Sequence, residues 1–436
     1  MQLPDDKQEE LLEAYFGESG NRYTLCRLTI GSSDFSVEHY NYANTTDDWD
    51  LVDFSIEYDT KYIIPMIQRA QKVAASWGNE LKFLSTPWSP PAWLKRNKRM
   101  MNSFMPGLRQ EHAVFETWAL YFSKYISAYA EAGIKVDHVT VQNEAHVAKQ
   151  FAVTYECCGF EPDHERDFLR DYLGPRMAAD HPGVKIWIHD DQKNDRMVEM
   201  VSSVMEDPNA AKYVAGTAFH WYDNWGLNYD ILDQVHEMYP DMALLATEAT
   251  NPRPSYENVG NRTWQFGEKY ASDMLRDLNH FTSGFIDWNM LLDYRGGPSN
   301  QHLGEKLVDL GNCDAPIRTN FTTFPFFPLD EPHGTYDLLY QPAYYNMGHF
   351  TRFVPPGAIS VGIEQSPEPT PYDKQGLSTS LESTAFVVKE GSSEHLVVVV
   401  TNFVDVKTTF KLDVPGVGAA VVEMPEHSIQ TLKLAL

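Results

Sequence analysis

Apolar residues recur along this chain in two alternating patterns. Amphipathic stretches of helical period, over about residues 6–16, 113–132 and 164–179, alternate with short runs rich in β-branched and aromatic residues at 23–30, 81–86, 136–142, 184–188, 215–219, 243–247 and 284–286. Strands separated by helices need crossover connections, which lay the strands side by side and parallel. Each run also breaks off at polar or aromatic groups: Asp34-Phe35, Trp88, Asn143-Glu144, His189-Asp190-Asp191, His220-Trp221-Tyr222, Glu248 and Asp287-Trp288-Asn289. Chemistry gathered beyond one end of parallel strands is the layout of a (β/α)8 TIM barrel, an α/β fold. The count is seven strands, one short of eight. A doubly wound open sheet is the alternative, but no Gly-rich phosphate loop follows the first strand.

From about residue 350 the pattern changes to short β-type runs at 358–364, 385–389, 395–401, 408–412, 419–423 and 428–434, separated by turn residues that include SPEPTP at 366–371. These runs predict a small C-terminal β-sandwich. The expected division is a catalytic barrel over 1–349 and a sandwich over 350–436.

Composition narrows the partners. With 61 acidic and 35 basic residues in 436, the formal charge is -26, which repels phosphate backbones and excludes nucleic acid. Four cysteines, Cys26, Cys157, Cys158 and Cys313, are too few for a disulfide framework, and neither HExxH nor paired CxxC occurs, so a mechanism with no metal and no cofactor is expected. The N-terminus has no signal-peptide core, so localisation stays open: secreted or lysosomal-type if a full-length chain carries a signal.

The chemistry centres on two glutamates. Glu144 ends the run 136–142 behind an amide, and Glu248 ends the run 243–247 about a hundred residues later. A pair of carboxylates at strand ends is what glycoside hydrolysis requires. Ten Trp, 23 Tyr and 23 Phe supply flat faces for sugar rings, although most aromatics fill cores.

The runs CRLTIGSSDFS (26–36), STPWSPPAWLK (85–95), VQNEAH (141–146), AFHWY (218–222), ATEAT (246–250), DWNM (287–290) and QPAYYNMGHFTRFVPPG (341–357) together resemble glycoside hydrolase family 30, nearest to the glucosylceramidases. The resemblance implies a (β/α)8 barrel with a β-sandwich built from both chain ends, a first barrel strand that is missing here from the N-terminus, and hydrolysis of β-glycosides with retention, Glu144 serving as acid/base and Glu248 as nucleophile. It implies Asp34, Trp88, Asn143 and Trp288 as glucose-holding residues, Arg27 near the nucleophile, and His220 and Tyr222 lining the pocket with the tyrosine bonded to the nucleophile. Ser299 or Asn300 takes a further sugar-binding position, with Asn300 favoured. The expected substrate is glucosylceramide. The alternatives are a β-glucosidase, β-xylosidase or β-1,6-glucanase on soluble glycosides, or a non-catalytic or incomplete carbohydrate-binding relative. The stretch 93–105 holds Lys95, Arg96, Lys98 and Arg99 among Trp93, Leu94, Met100, Met101, Phe104 and Met105, which suggests peripheral contact with an anionic membrane.

Overall fold

The computed structural model describes residues 3–149, 153, 155–223, 227–251, 261–293, 296–297, 302–303, 306–307, 313–320, 336–366 and 380–436. Its central element is an all-parallel sheet of seven strands in sequential order: β1 (Leu25–Ile30), β2 (Lys82–Pro87), β3 (His138–Thr140), β4 (Lys185–Gln192), β5 (Val214–His220), β6 (Ala243–Glu248) and β7 (Thr282–Phe285). Sequential parallel order is the wall of a TIM barrel. Among the described residues β1 pairs with β2 and β7 with β6, and the two end strands approach each other, since a Cβ on Gly284 would meet Leu25 at 3.7 Å. Leu84, Trp187, Ala218 and Leu245 fill the interior, with Leu25, Ala215 and Ala243 beside them.

Helices cover the outside: α1 (Asp5–Phe16), α2 (Glu57–Tyr62), α3 (Ile64–Ala75), α4 (His112–Glu131), α5 (Pro162–Phe168), α6 (Gly174–Asp180), α7 (Asp195–Met205), α8 (Pro208–Ala211), α9 (Tyr229–Met238), α10 (Asn261–Asn279) and α11 (Pro342–Thr351). α4 shows why the amphipathic reading works. Its buried face carries Trp118, Tyr121, Phe122, Tyr125 and Tyr129, each 0% exposed, and full burial of such side chains contributes roughly 1.5–3 kcal/mol apiece. The polar tips are satisfied as well, since Tyr129 and Tyr42 donate to the buried Asp59 at 2.7 and 2.5 Å. No described helix is long and apolar enough to cross a membrane.

Two strands differ from the sequence expectation. The run 136–142 pairs regularly over His138–Thr140 alone. Its flanks stay in line through single bonds, Asp137 N to Phe83 O, Val141 N to Trp187 O and Asn143 N to Pro87 O, because the Asp137 carboxylate also takes the Phe83 amide and interrupts the ladder. The run 184–188 instead continues four residues further, through His189, Asp190 and Asp191 to Gln192, with His189 at φ 74° and Asp190 at φ 51°. Left-handed backbone at non-glycine residues is costly and concentrates at functional sites.

After β7 come the short strands β8 (Leu291–Asp293), β9 (His302–Leu303), β10 (Lys306–Leu307), β11 (Ile317–Thr319) and β12 (Leu338–Tyr340). Beyond α11 lie β13 (Ile359–Val361), β14 (Leu381–Glu390), β15 (Ser393–Asn402), β16 (Thr408–Val414), β17 (Gly418–Met424) and β18 (Ser428–Ala435). β13, β14, β15 and β18 form an antiparallel sheet in that order, and β16 and β17 form a hairpin. Ala385, Leu396, Val398, Val400 and Met424 pack against Phe410, Leu412 and Val414 between the two, while Val399 and Phe403 join α10 and α11. A buried ion pair, Arg276 Nη2 to Glu382 Oε1 at 2.6 Å, ties α10 to β14.

Candidate active site

The strand ends deliver their polar residues to one pocket. A cavity of about 460 Å³ is lined by Asp34, Trp88, Asn143, Glu144, Tyr222, Glu248 and Trp288, along with Phe35, Tyr155, Gln192, Thr250 and Cys313. That volume suits a small sugar-sized ligand. Glu144 follows β3 at φ 41°, a left-handed conformation that its backbone N–H bond to Asp190 O holds at 3.0 Å. Glu248 closes β6. One oxygen from each carboxylate, together with a ring nitrogen of His220, falls within 4.8 Å of the others.

Each glutamate has its own set of donors. Glu248 Oε2 accepts from Arg27 Nη1 at 2.5 Å, and its Oε1 accepts from the Tyr222 hydroxyl at 2.9 Å. Glu144 Oε1 accepts from Gln192 Nε2 at 2.9 Å and lies 3.2 Å from His220 Nδ1, and its Oε2 accepts from the Tyr155 hydroxyl at 3.3 Å. Burial pushes the Glu248 carboxyl above its ordinary range, against the downward pull of the His220 and Arg27 charges. Asp34 is pushed well above its range by burial first and then by repulsion from Glu248, Glu156 and Glu144.

Beneath the pair lies Asp190, fully buried, a strand-end acid to which the sequence assigned no role. Its Oδ2 accepts from Arg27 Nη2 at 2.8 Å and from Thr140 Oγ1 at 2.6 Å, and its Oδ1 accepts from Thr247 Oγ1 at 2.7 Å and lies 3.1 Å from His220 Nε2. Burial works against its charge, yet Arg27 and His220 hold the carboxyl well below the usual carboxylate range. His220 in turn resists desolvation through Glu248, Asp190 and Glu144, and its pKa rises to about 10. The imidazolium and the Arg27 guanidinium thus supply two fixed positive charges amid the carboxylates. Glu144, His220 and Glu248 have the donor types of a divalent-cation site, but a cation there must displace the proton of His220 and approach Arg27.

Trp88 and Trp288 stack on each other at 4.9 Å and 23°, with Arg27 over the Trp88 ring at 4.8 Å. Asn143 Oδ1 accepts from Arg27 Nη2 at 2.8 Å. Asn300 and Ser299 lie outside the described residues. Arg27, Asp34, Trp88, Asn143, Glu144, His220, Tyr222, Glu248 and Trp288 therefore gather at one place, and Asp190, Gln192 and Tyr155 join them.

The basic stretch needs a correction. Lys95 is 0% exposed, and its ammonium bonds Ser89 Oγ at 3.1 Å, Met100 O at 2.7 Å, Asn102 O at 2.9 Å and the Cys157 carbonyl. Trp93 and Leu94 are buried too, with Trp93 Nε1 donating to Ala43 O at 2.9 Å. These three residues cannot face a bilayer. Sequence alone does not distinguish a lysine that clasps its own loop from one in water, because the carbonyls that receive it come from a turn and from a segment sixty residues away.

Residues 1–354 match the glycosyl hydrolase family 30 TIM-barrel domain. The lysosomal acid glucosylceramidase of Mus musculus is 32% identical over 432 residues, covering 98% of this chain and 77% of that protein. An endo-1,6-beta-D-glucanase of Neurospora crassa is 27% identical over 365 residues, covering 82% of this chain and 67% of that protein. The crystal structure of SrfJ from Salmonella typhimurium superimposes with a TM-score of 0.80 at 28% identity, over 99% of this chain and 85% of that one.

Proposed function

The chain belongs to glycosyl hydrolase family 30 and is a retaining glycoside hydrolase, and from that premise we propose that it cleaves glucosylceramide to glucose and ceramide. The observation that supports the mechanism is that one oxygen of each carboxylate lies within 4.8 Å of the other, in keeping with the close carboxyl pair, about 5–5.5 Å apart, of retaining enzymes.

Glu144 protonates the glycosidic oxygen while Glu248, held between Arg27 and Tyr222, attacks the anomeric carbon. Water activated by Glu144 then releases glucose from Glu248. Asp34, Asn143, Trp88 and Trp288 hold the sugar, with Asn300 assigned the remaining asparagine position. The likeness to an acid glucosylceramidase over nearly the whole chain supports a lipid aglycone. Membrane contact then falls to the outer part of the basic loop: Arg96, Lys98, Arg99 and Phe104, the last 53% exposed.

The second reading, a soluble β-glucoside or β-1,6-glucan, draws on the polar residues near Glu144 in the pocket, among them Asn194, Arg196 and Asp223, and on the glucanase relative. Rates on glucosylceramide in detergent, an aryl β-glucoside and a β-1,6-glucan decide between them. Glucosylceramide should turn over with the highest kcat/KM; turnover of the glucan alone would replace the lipid reading.

A further inference from the structure

We infer that Gln192 is a positioning residue that determines which oxygen of Glu144 carries the transferred proton. This rests on the reading of Glu144 as the acid/base. Gln192 is the last residue of β4, on the left-handed extension that the sequence pattern did not anticipate. Its side-chain Oε1 accepts from two backbone N–H groups, Tyr222 at 2.8 Å and Asp223 at 3.1 Å. Two N–H donors admit only the oxygen end of a carboxamide, so the NH2 end must face the other way. It meets Glu144 Oε1 at 2.9 Å, and it can only donate.

His220 Nδ1 approaches the same oxygen at 3.2 Å, while its Nε2 faces Asp190 at 3.1 Å. An imidazolium between two carboxylates donates from both nitrogens. Glu144 Oε1 then receives two hydrogen bonds and has no favourable place for a proton. The proton is left to Oε2, whose neighbour is the Tyr155 hydroxyl at 3.3 Å, a group that can accept as well as donate.

The bond changes follow from that placement. In the first step the proton leaves Glu144 Oε2 for the glycosidic oxygen, which takes the electron pair of the breaking anomeric C–O bond, and a Glu248 oxygen bonds the anomeric carbon. Gln192 and His220 then face a fully charged carboxylate on Glu144, whose ionised form they favour. In the second step a water proton returns to Oε2 as the water oxygen bonds the anomeric carbon and Glu248 leaves with its electron pair. Gln192 has a second duty to be separated from this one, since the loop it anchors carries Tyr222, whose hydroxyl donates to Glu248 at 2.9 Å.

Leaving-group dependence separates them. Dinitrophenolate departs without protonation and an alkoxide does not, so a defect in proton donation lowers kcat/KM on n-hexyl β-glucoside and spares 2,4-dinitrophenyl β-glucoside. Gln192→Glu keeps an oxygen for the two backbone N–H groups and puts a second carboxylate oxygen where the donor toward Glu144 stood; Gln192→Ala removes both contacts without adding a charge. Both variants should lose at least about tenfold more on the hexyl than on the dinitrophenyl substrate. Glu144→Gln is the control. If it lacks the leaving-group split, the acid/base reading itself fails. If it shows the split while Gln192→Glu loses equally on both substrates, or on neither, the assignment to Gln192 is overturned.

Discussion

Arg27 and Asp190 form a buried ion pair, Nη2 to Oδ2 at 2.8 Å with side chains 3% and 0% exposed, directly beneath the two glutamates of the pocket. Arg27 extends from it to Glu248 and His220 extends from it to Glu144, so one aspartate orients the cations that serve both carboxylates. Its own remaining acceptor sites are filled by Thr140 and Thr247.

Asp190→Asn should therefore lower kcat by about a hundredfold or more, through misplaced charge and not through lost substrate contact. Removing the buried anion that Arg27 and His220 share should also cost about 3–5 kcal/mol of stability. Steady-state kinetics and denaturant unfolding check the two effects together. KM should change little, since Asp190 does not line the cavity.

The raised pKa of His220, about 10 against an ordinary value near 6.5, sets a pH window. A histidine whose folded pKa is raised contributes stability that is complete below about pH 6.5 and is lost as pH climbs toward 10. Wild type should thus lose more stability than His220→Gln between pH 6.5 and 9.5. Unfolding midpoints at a series of pH values measure the difference, and equal slopes would mean that His220 is neutral in the folded protein.

Lys95 and its neighbours should separate cleanly. Lys95→Met leaves four buried acceptors without their donor, so it should destabilise the protein and lower turnover on every substrate. Replacing Arg96, Lys98 and Arg99 with Ser should leave aryl glucoside turnover unchanged. It should slow hydrolysis of glucosylceramide in liposomes containing phosphatidylserine, each cation contributing about 1 kcal/mol of attraction, with recovery in detergent. Equal losses on both substrates would mean that the loop supports the pocket.

Much of this site was legible because strand ends in a parallel sheet converge whatever the intervening helices do. Glu144, Glu248, Trp88, His220 and Tyr222 each follow a short apolar run, and the fold places them together. Asp190 and Gln192 were not legible as site residues. An Asp-Asp-Gln after an apolar strand looks like a solvated turn, and only the left-handed backbone at His189 and Asp190 carries the strand on and turns those side chains inward. The doubled acid just beyond the apolar run 184–188 was the signal the sequence offered. Lys95 failed for the opposite reason: four cations in five residues look like a surface, but burial of one of them depends on carbonyls brought by Met100, Asn102 and Cys157.

The central claim is that Glu248 bonds the sugar and Glu144 moves the proton. Exchange of Glu248 for Gln should abolish turnover with the fold intact, and azide should partly restore Glu248→Gly with an inverted product. The most direct measurement is mass spectrometry of peptides after inactivation by a 2-deoxy-2-fluoro-β-glucosyl fluoride, with the anomer of the first glucose released by wild type recorded alongside. The account predicts a fluoroglucosyl label on Glu248 alone and β-glucose as first product. A label on any other residue, or α-glucose as first product, would contradict it.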